Sequence, residues 1–119
     1  MKILIVDDSQ LARMGIIKYL KILEPSAELF EAESGLEAIE VFKRESPSVV
    51  FMDLTMPGMS GYEAIERIMP LDSDVKIVVV SADIQKIAEE KVIQLGAKML
   101  IKKPINQENI KDILISINS

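Results

Sequence analysis

Five polar side chains stand directly after apolar segments, in positions where they could meet and do chemistry. Asp7 and Asp8 end the run "ILIV", Asp53 follows "VVFM", Ser81 follows "VKIVVV", and Lys103 follows "KMLIK". Carboxylates that lie close together repel one another unless a cation lies between them. An all-oxygen set of ligands favours a hard cation such as Mg²⁺. These residue types therefore predict a magnesium site with a hydroxyl and an ammonium beside it.

The composition limits the other chemistry that the chain can perform. It contains no histidine and no cysteine, which excludes imidazole bases, thiolate metal sites and disulfides. A length of 119 residues, 49% hydrophobic and 28% charged, is typical of one globular domain spanning residues 1–119. The net charge of −5 and the scattered lysines do not favour direct binding to nucleic acid. No apolar run is long enough for a leader or a membrane span, so we expect a cytoplasmic protein.

The elements that must position these residues alternate along the chain. Strands are predicted at "KILIV", "AELFEA", "SVVFM", "VKIVVV" and "KMLI", and helices at 10–23, 35–45, 61–69, about 84–95 and about 106–117. Strands that alternate with helices predict βαβ units around a parallel sheet. The runs at 3–6, 49–52 and 77–80 are apolar without alternation, as in strands covered on both faces.

Helix boundaries have their own signals. Ser34 with Glu37, and Ser60 with Glu63, have the spacing of capping boxes. Gly96 is expected to end the fourth helix. Two prolines, Pro25 and Pro47, stand just past predicted helix ends.

A parallel sheet brings all these strand ends to one place. Right-handed crossovers put the carboxyl end of every strand on the same edge, where ligands bind in open α/β sheets. Asp7, Asp8, Asp53, Ser81 and Lys103 are therefore expected to converge there.

The motifs "IVDDS", "VVFMDLTMPGMSGYEAI", "VVVSA" and "IKKP", in this order, resemble those of response-regulator receiver domains, in particular the free-standing chemotaxis regulators. The resemblance covers the whole chain. It implies a doubly wound, flavodoxin-like (βα)₅ fold whose five parallel strands have the order 2-1-3-4-5. It also implies a two-component signalling protein, in chemotaxis or a phosphorelay, that is a phosphoacceptor switch and not a turnover enzyme.

The resemblance also implies roles for individual residues. Asp53 matches the phosphoacceptor, which takes a phosphoryl group from a sensor histidine kinase or phosphotransfer protein. Asp8 matches a direct Mg²⁺ ligand, Asp7 a ligand mainly through water, and Thr55 the residue whose backbone carbonyl completes the protein's share of the metal ligands.

Four further positions match the rest of the family's site. Lys103 matches a lysine that contacts the phosphoryl oxygens, and Ser81 matches the switch hydroxyl. Pro104 matches a proline that follows a cis peptide bond and turns Lys103 toward the site. Thr55 and Asp83 occupy positions that tune access of the hydrolytic water.

The chain departs from the family at Leu100, where a tyrosine or phenylalanine is usual. Helical geometry predicts that Ile93 and Ile115 point away from the buried faces of helices four and five, which carry Ile84, Ala88, Val92 and Leu95, and Ile110, Ile113, Leu114 and Ile117. These two isoleucines and Leu100 predict an output surface for a protein effector, such as a motor switch or a phosphatase, or for weak phosphorylation-dependent dimerisation.

Other interpretations remain open at this point. A Mg²⁺-dependent phosphohydrolase of the haloacid-dehalogenase type would also form an aspartyl phosphate, but it needs an aspartate where Thr55 stands. A flavodoxin-like cofactor binder needs a glycine-rich or hydroxyl-rich first turn, and "DDSQ" is acidic. Asp8 or Ser9 could be only a helix cap. Arg13 and Lys98 are interpreted as surface residues.

Overall fold

The computed structural model describes residues 1–82 and 85–118. Five strands alternate with five helices. In chain order they are β1 (Lys2–Val6), α1 (Gln10–Leu23), β2 (Glu28–Ala32), α2 (Gly35–Glu45), β3 (Val49–Asp53), α3 (Gly61–Ile68), β4 (Lys76–Ser81), α4 (Lys86–Leu95), β5 (Met99–Lys102) and α5 (Gln107–Ile117). A short 3₁₀ turn, Met69–Leu71, follows α3.

All neighbouring strands pair in parallel, in the order β2-β1-β3-β4-β5. The predicted order is confirmed. Side chains on opposite faces of the sheet enter two separate cores. One core contains Leu4 and Val6 with α2, α3 and α4, and the other contains Ile3 and Ile5 with α1 and α5. The inner strands are buried on both faces, which explains their unbroken apolar runs.

The sequence signals locate the starts of α2 and α3 correctly, but some of the predicted hydrogen bonds of their caps differ. Ser34 and Ser60 each accept a hydrogen bond from the amide three residues on, at 3.1 and 3.3 Å, as predicted. The predicted return bonds are wrong, because Glu37 accepts from the amide of Glu33 and Glu63 pairs with Arg67. The full capping box lies instead at α5, between Asn106 and Asn109.

The C-terminal signals of the helices are confirmed. Gly96 ends α4 with a φ of 113°, a conformation that suits glycine. Pro25 and Pro47 follow the ends of α1 and α2. The predicted start of α4 at residue 84 lies outside the described residues, and the described helix begins at Lys86. Among residues 1–82 and 85–118, no helix combines the length and hydropathy that a membrane crossing needs.

Two glycines give opposite predictions for stability. Gly15 lies inside α1, and a Cβ there would meet no atom within 4 Å. Gly15→Ala should therefore raise the free energy of unfolding by about 0.5–1 kcal/mol, because alanine is the better helix former. In contrast, a Cβ on Gly61 would overlap the carbonyl oxygen of Asp53. Gly61→Ala should lower stability by on the order of 2 kcal/mol. Urea denaturation of both variants measures these effects, and a loss of stability in Gly15→Ala would contradict the first.

Candidate phosphoacceptor and metal site

The carboxyl edge of the sheet brings the five predicted side chains to one side of the molecule. Asp53 and Ser81 are the last residues of β3 and β4, while Asp7 and Lys103 are the first residues after β1 and β5. Asp7, Asp53 and Ser81 are buried, with 2%, 4% and 1% of their surfaces exposed. Lys103 is half-buried and Asp8 is exposed, so the cluster opens to solvent on the side of Asp8.

The three aspartates form a compact acidic cluster. Carboxylate oxygens from Asp7, Asp8 and Asp53 all lie within 4.8 Å of one another. Two oxygens on one Mg²⁺ are at most about 4.2 Å apart, because each bond is about 2.1 Å long. Oxygens within 4.8 Å of one another are close to the separation that one shared Mg²⁺ requires, and carboxylate oxygens are donors that Mg²⁺ prefers.

Lys103 joins the cluster from the far end of the chain. Its Nζ lies 2.7 Å from Asp7 Oδ2 and 3.4 Å from Asp53 Oδ1. The other oxygen of Asp7, Oδ1, accepts a hydrogen bond from the backbone amide of Ser9 at 2.9 Å. Asp7 is thus held on both sides, while Asp53 has the looser contact with the ammonium.

The electrostatics of the site follow from its burial. Burial, together with repulsion from Asp7, raises the pKa of Asp53, although Lys103 and a hydrogen bond from the backbone of Thr55 act in the opposite direction. Burial alone would lower the pKa of Lys103, but the carboxylates of Asp7 and Asp53 outweigh it, so that its pKa is raised. Lys103 is therefore a firmly charged ammonium, and ionised Asp53 is the energetically costly member of the cluster.

This cost predicts a pH-dependent effect on stability. In metal-free protein at neutral pH, Asp53→Asn should raise the free energy of unfolding by on the order of 1 kcal/mol, because it removes a buried charge that Asp7 repels. An acid whose pKa is raised on folding stabilises the fold below its unfolded pKa and loses that contribution as the pH rises through its folded pKa. The increase in the free energy of unfolding caused by Asp53→Asn should therefore shrink as the pH falls toward the ordinary pKa range of aspartate.

Urea denaturation in chelator at several pH values measures this gain. Asp112→Asn, on the exposed face of α5, is the matched control. If Asp53→Asn raised the stability equally at all pH values, or if the control raised it as much, the charge of Asp53 would not be the cause of the lower stability of wild type.

The structure also describes three more of the predicted residues, Thr55, Leu100 and Pro104. Thr55 is exposed two residues beyond Asp53, and the Lys103–Pro104 peptide bond is cis. Leu100 is half-buried in β5 and packs against the core that contains α4. Asp83, and Ile84 of the predicted buried face of α4, lie outside the described residues.

The predicted helix faces agree with the structure. Ala88 and Val92 of α4 are buried, as are the four α5 residues Ile110, Ile113, Leu114 and Ile117. Leu95 is half-buried and packs against the same core as Val92. Ile93 is 45% exposed and Ile115 is 58% exposed, as predicted. Ile87, which was not among the predicted residues, is 73% exposed on α4 and adds to the apolar surface there.

The prediction for Arg13 was wrong. Lys98 is exposed as expected, but Arg13 is only 8% exposed. Its guanidinium donates to the backbone oxygen of Asp7 at 2.6 Å and to Glu31 Oε1 at 2.8 Å. The helical spacing of Arg13 is the sequence signal for its burial, because it lies three residues before Ile16 and seven before Leu20 on the buried face of α1.

The fold and the site together define a class: a doubly wound α/β protein with a carboxylate cluster suited to a divalent cation and a lysine beside it. The family model of the response regulator receiver domain matches residues 3–115, so the chain belongs to that family. The assignment favours a signalling domain over the phosphohydrolase and cofactor-binding alternatives.

Similar proteins agree with this assignment. The chain is 37% identical over 113 residues to the chemotaxis protein CheY of Bacillus subtilis, covering 95% of this chain and 93% of that one. It is also 37% identical over 117 residues to CheY of Thermotoga maritima, with coverages of 98% and 97%. The CheX-CheY-BeF₃-Mg structure from Borrelia burgdorferi contains a chain of the same fold, with a TM-score of 0.93, 24% identity, and coverages of 100% and 90%.

Proposed function

We propose that this receiver domain is a switch driven by phosphorylation of Asp53. The observation that carries the proposal is the position of the Asp53 carboxylate, which lies at the end of the middle strand beside two other carboxylates and 3.4 Å from the Lys103 ammonium. Few groups are needed beyond this, because phosphoryl transfer depends mainly on alignment and charge neutralisation. The donor is the phosphohistidine of a sensor histidine kinase or phosphotransfer protein, or a small acyl phosphate.

The transfer is a displacement at phosphorus. An Asp53 carboxylate oxygen forms a bond to phosphorus while the bond to the donor's histidine nitrogen, or to the carboxylate oxygen of an acyl phosphate, breaks with its electron pair. The Lys103 ammonium, which contacts Asp53 Oδ1, stabilises the charge on the transferring oxygens. Attack by water later releases inorganic phosphate and restores the carboxylate, at a rate tuned by residues at the rim of the site such as Thr55.

The metal site serves this reaction. Asp8 and Asp53 would hold Mg²⁺ directly, Asp7 mainly through water, and Thr55 through its backbone carbonyl. Bound Mg²⁺ neutralises negative charge on the carboxylates and on the phosphoryl oxygens. The exposure of Asp8 leaves a route from solvent for the ion and for the phosphoryl donor.

Intact-mass measurement after incubation with acetyl phosphate tests the proposal. The protein should gain the mass of one phosphoryl group in Mg²⁺ and gain none in excess chelator. Peptide mapping should place the group on Asp53. No mass gain in Mg²⁺, or labelling that is undiminished by chelator, would overturn the proposed function.

The output of the switch is a changed surface on α4, β5 and α5. Phosphorylation adds a charge of about −1.5 to −2 and new acceptor oxygens beside Ser81 and Lys103. Ser81 hydrogen-bonds a phosphoryl oxygen, and Leu100 moves with it in place of the usual aromatic side chain. Ile93 and Ile115 are exposed on the two helices that flank this region, and they form the docking surface for a protein effector.

This coupling predicts that Ser81→Ala separates phosphorylation from switching. The variant should still accept one phosphoryl group, since Asp53 and Lys103 are unchanged. The change in amide chemical shifts on phosphorylation should shrink at Ile93, Leu100 and Ile115, because the variant lacks the hydroxyl that contacts the phosphate. Ser116→Ala, exposed on α5, is the control. A full response at these three residues in Ser81→Ala would contradict the role of the hydroxyl.

The similarity to chemotaxis proteins supports a role in chemotaxis, with a phosphorelay as the alternative. The proposal treats residues 1–119 as one receiver domain that acts in the cytoplasm. It works as a monomer or as a weak dimer that forms on phosphorylation.

A further inference from the structure

Arg13 is a buried, paired side chain that has no part in the proposed phosphoryl transfer. It lies in the second turn of α1 with 8% of its surface exposed, although arginine is rarely buried unless it is paired. Its bond to the backbone oxygen of Asp7 is 2.6 Å long, and its bond to Glu31 Oε1 is 2.8 Å long. The side chain thus connects three elements, since Asp7 follows β1 and Glu31 lies in β2.

The bond to Asp7 fixes a particular peptide group. The carbonyl of Asp7 belongs to the peptide that joins Asp7 to Asp8, so its orientation sets the direction in which the chain enters Asp8. Asp7 is held on its other sides by the sheet, where its amide donates to the Ala32 oxygen at 3.1 Å, and by its side-chain bond to the Ser9 amide at 2.9 Å. Asp8 itself is exposed, so its placement depends on this backbone.

The effect of Arg13 on the site is geometric. Glu31 places a carboxylate on the same guanidinium, so the pair adds little net charge near the acidic cluster. The arginine fork can bind a carbonyl and a carboxylate at once in fixed directions, and a lysine cannot reproduce this arrangement. Residues that orient metal ligands without touching the metal commonly change metal affinity by about 10–100-fold when they are substituted.

We infer that Arg13 is a positioning residue for the Mg²⁺ site: by holding the Asp7 carbonyl between α1 and β2, it sets the placement of the Asp8 carboxylate. The inference rests on the proposed function, because it assumes that the cluster binds Mg²⁺. It assigns to Arg13 a part in metal affinity, with no contact to the metal or to the phosphoryl group.

The test compares the Mg²⁺ affinity of wild type with that of Arg13→Ala, Arg13→Lys and Glu31→Gln. Calorimetry and the shifts of amide resonances during titration with MgCl₂ both measure this affinity. Arg13→Ala and Arg13→Lys should bind Mg²⁺ at least about tenfold more weakly than wild type, and Glu31→Gln by a smaller factor. In metal-free protein, ¹⁵N relaxation should show lower order at Asp8 and Ser9 in the Arg13 variants. The rate at which acetyl phosphate labels the Arg13 variants should recover toward that of wild type as the Mg²⁺ concentration is raised.

A core variant separates positioning from general loss of stability. Ile68→Val, in the core on the opposite face of the sheet from α1, should lower stability without changing Mg²⁺ affinity or the order of Asp8. Wild-type affinity in folded Arg13→Lys and Glu31→Gln would overturn the inference even if Arg13→Ala does not fold, as would an equal loss of affinity in Ile68→Val. A wild-type protein that binds no Mg²⁺ would overturn the proposed function together with the inference.

Discussion

Asp53→Asn should take up no phosphoryl group from acetyl phosphate, whatever the concentration of Mg²⁺. The amide has the size of the carboxylate but lacks its nucleophilic charge, so the site keeps its shape and loses the attacking atom. The neighbouring Asp7 is a poor substitute, because Lys103 and the Ser9 amide already bind its two oxygens at 2.7 and 2.9 Å. Intact mass and peptide mapping measure the loss.

The matched control is Asp112→Asn, which makes the same chemical change on an exposed face of α5. It should be labelled as fast as wild type. If Asp53→Asn accepts a phosphoryl group at the normal rate, the acceptor lies elsewhere and the proposed function is wrong.

Asp8→Ala should have the second large effect, a fall in the rate of phosphotransfer of at least about 100-fold at millimolar Mg²⁺. Asp8 is the exposed member of the cluster, and its loss leaves two carboxylates that both already contact Lys103, at 2.7 and 3.4 Å. Excess chelator should lower the rate in wild type to the same level and have little further effect on the variant. Rates come from the time course of labelling by mass.

Glu33→Ala provides the control for a general change of charge. Glu33 is an exposed acid after β2 and lies outside the acidic cluster. Its removal should leave the rate near that of wild type. A rate for Asp8→Ala within a few-fold of wild type would show that the transfer does not depend on this carboxylate.

Much of the fold could be predicted from local pattern. The inner strands of a parallel sheet are covered on both faces, so they appear in the sequence as unbroken apolar runs with defined ends. The convergence of Asp7, Asp53 and Lys103 followed from the rule that parallel strands end on one edge. The strand order itself came from the resemblance to receiver domains, since alternation of strands and helices is compatible with several orders.

The parts that could not be predicted depend on contacts between elements. The sequence predicts Arg13 at the surface, but its burial depends on two partners from other elements, the Asp7 carbonyl and Glu31. At α5 the reciprocal cap uses Asn109 in place of the Glu or Gln that marks such a motif. At α2 the return bond of Glu37 goes to Glu33, because a flexible side chain selects among nearby amides.

The contact between Lys103 and Asp7 joins residues separated by 96 positions in the chain. During synthesis, β5 and the lysine after it emerge after the other four strands, so the nascent chain has its acidic residues long before it has this cationic partner. Such long-range contacts form late and as part of the cooperative fold. The ability to accept a phosphoryl group should therefore appear only when the whole sheet has assembled, which protects a signalling pathway from half-made or truncated copies of its own switch.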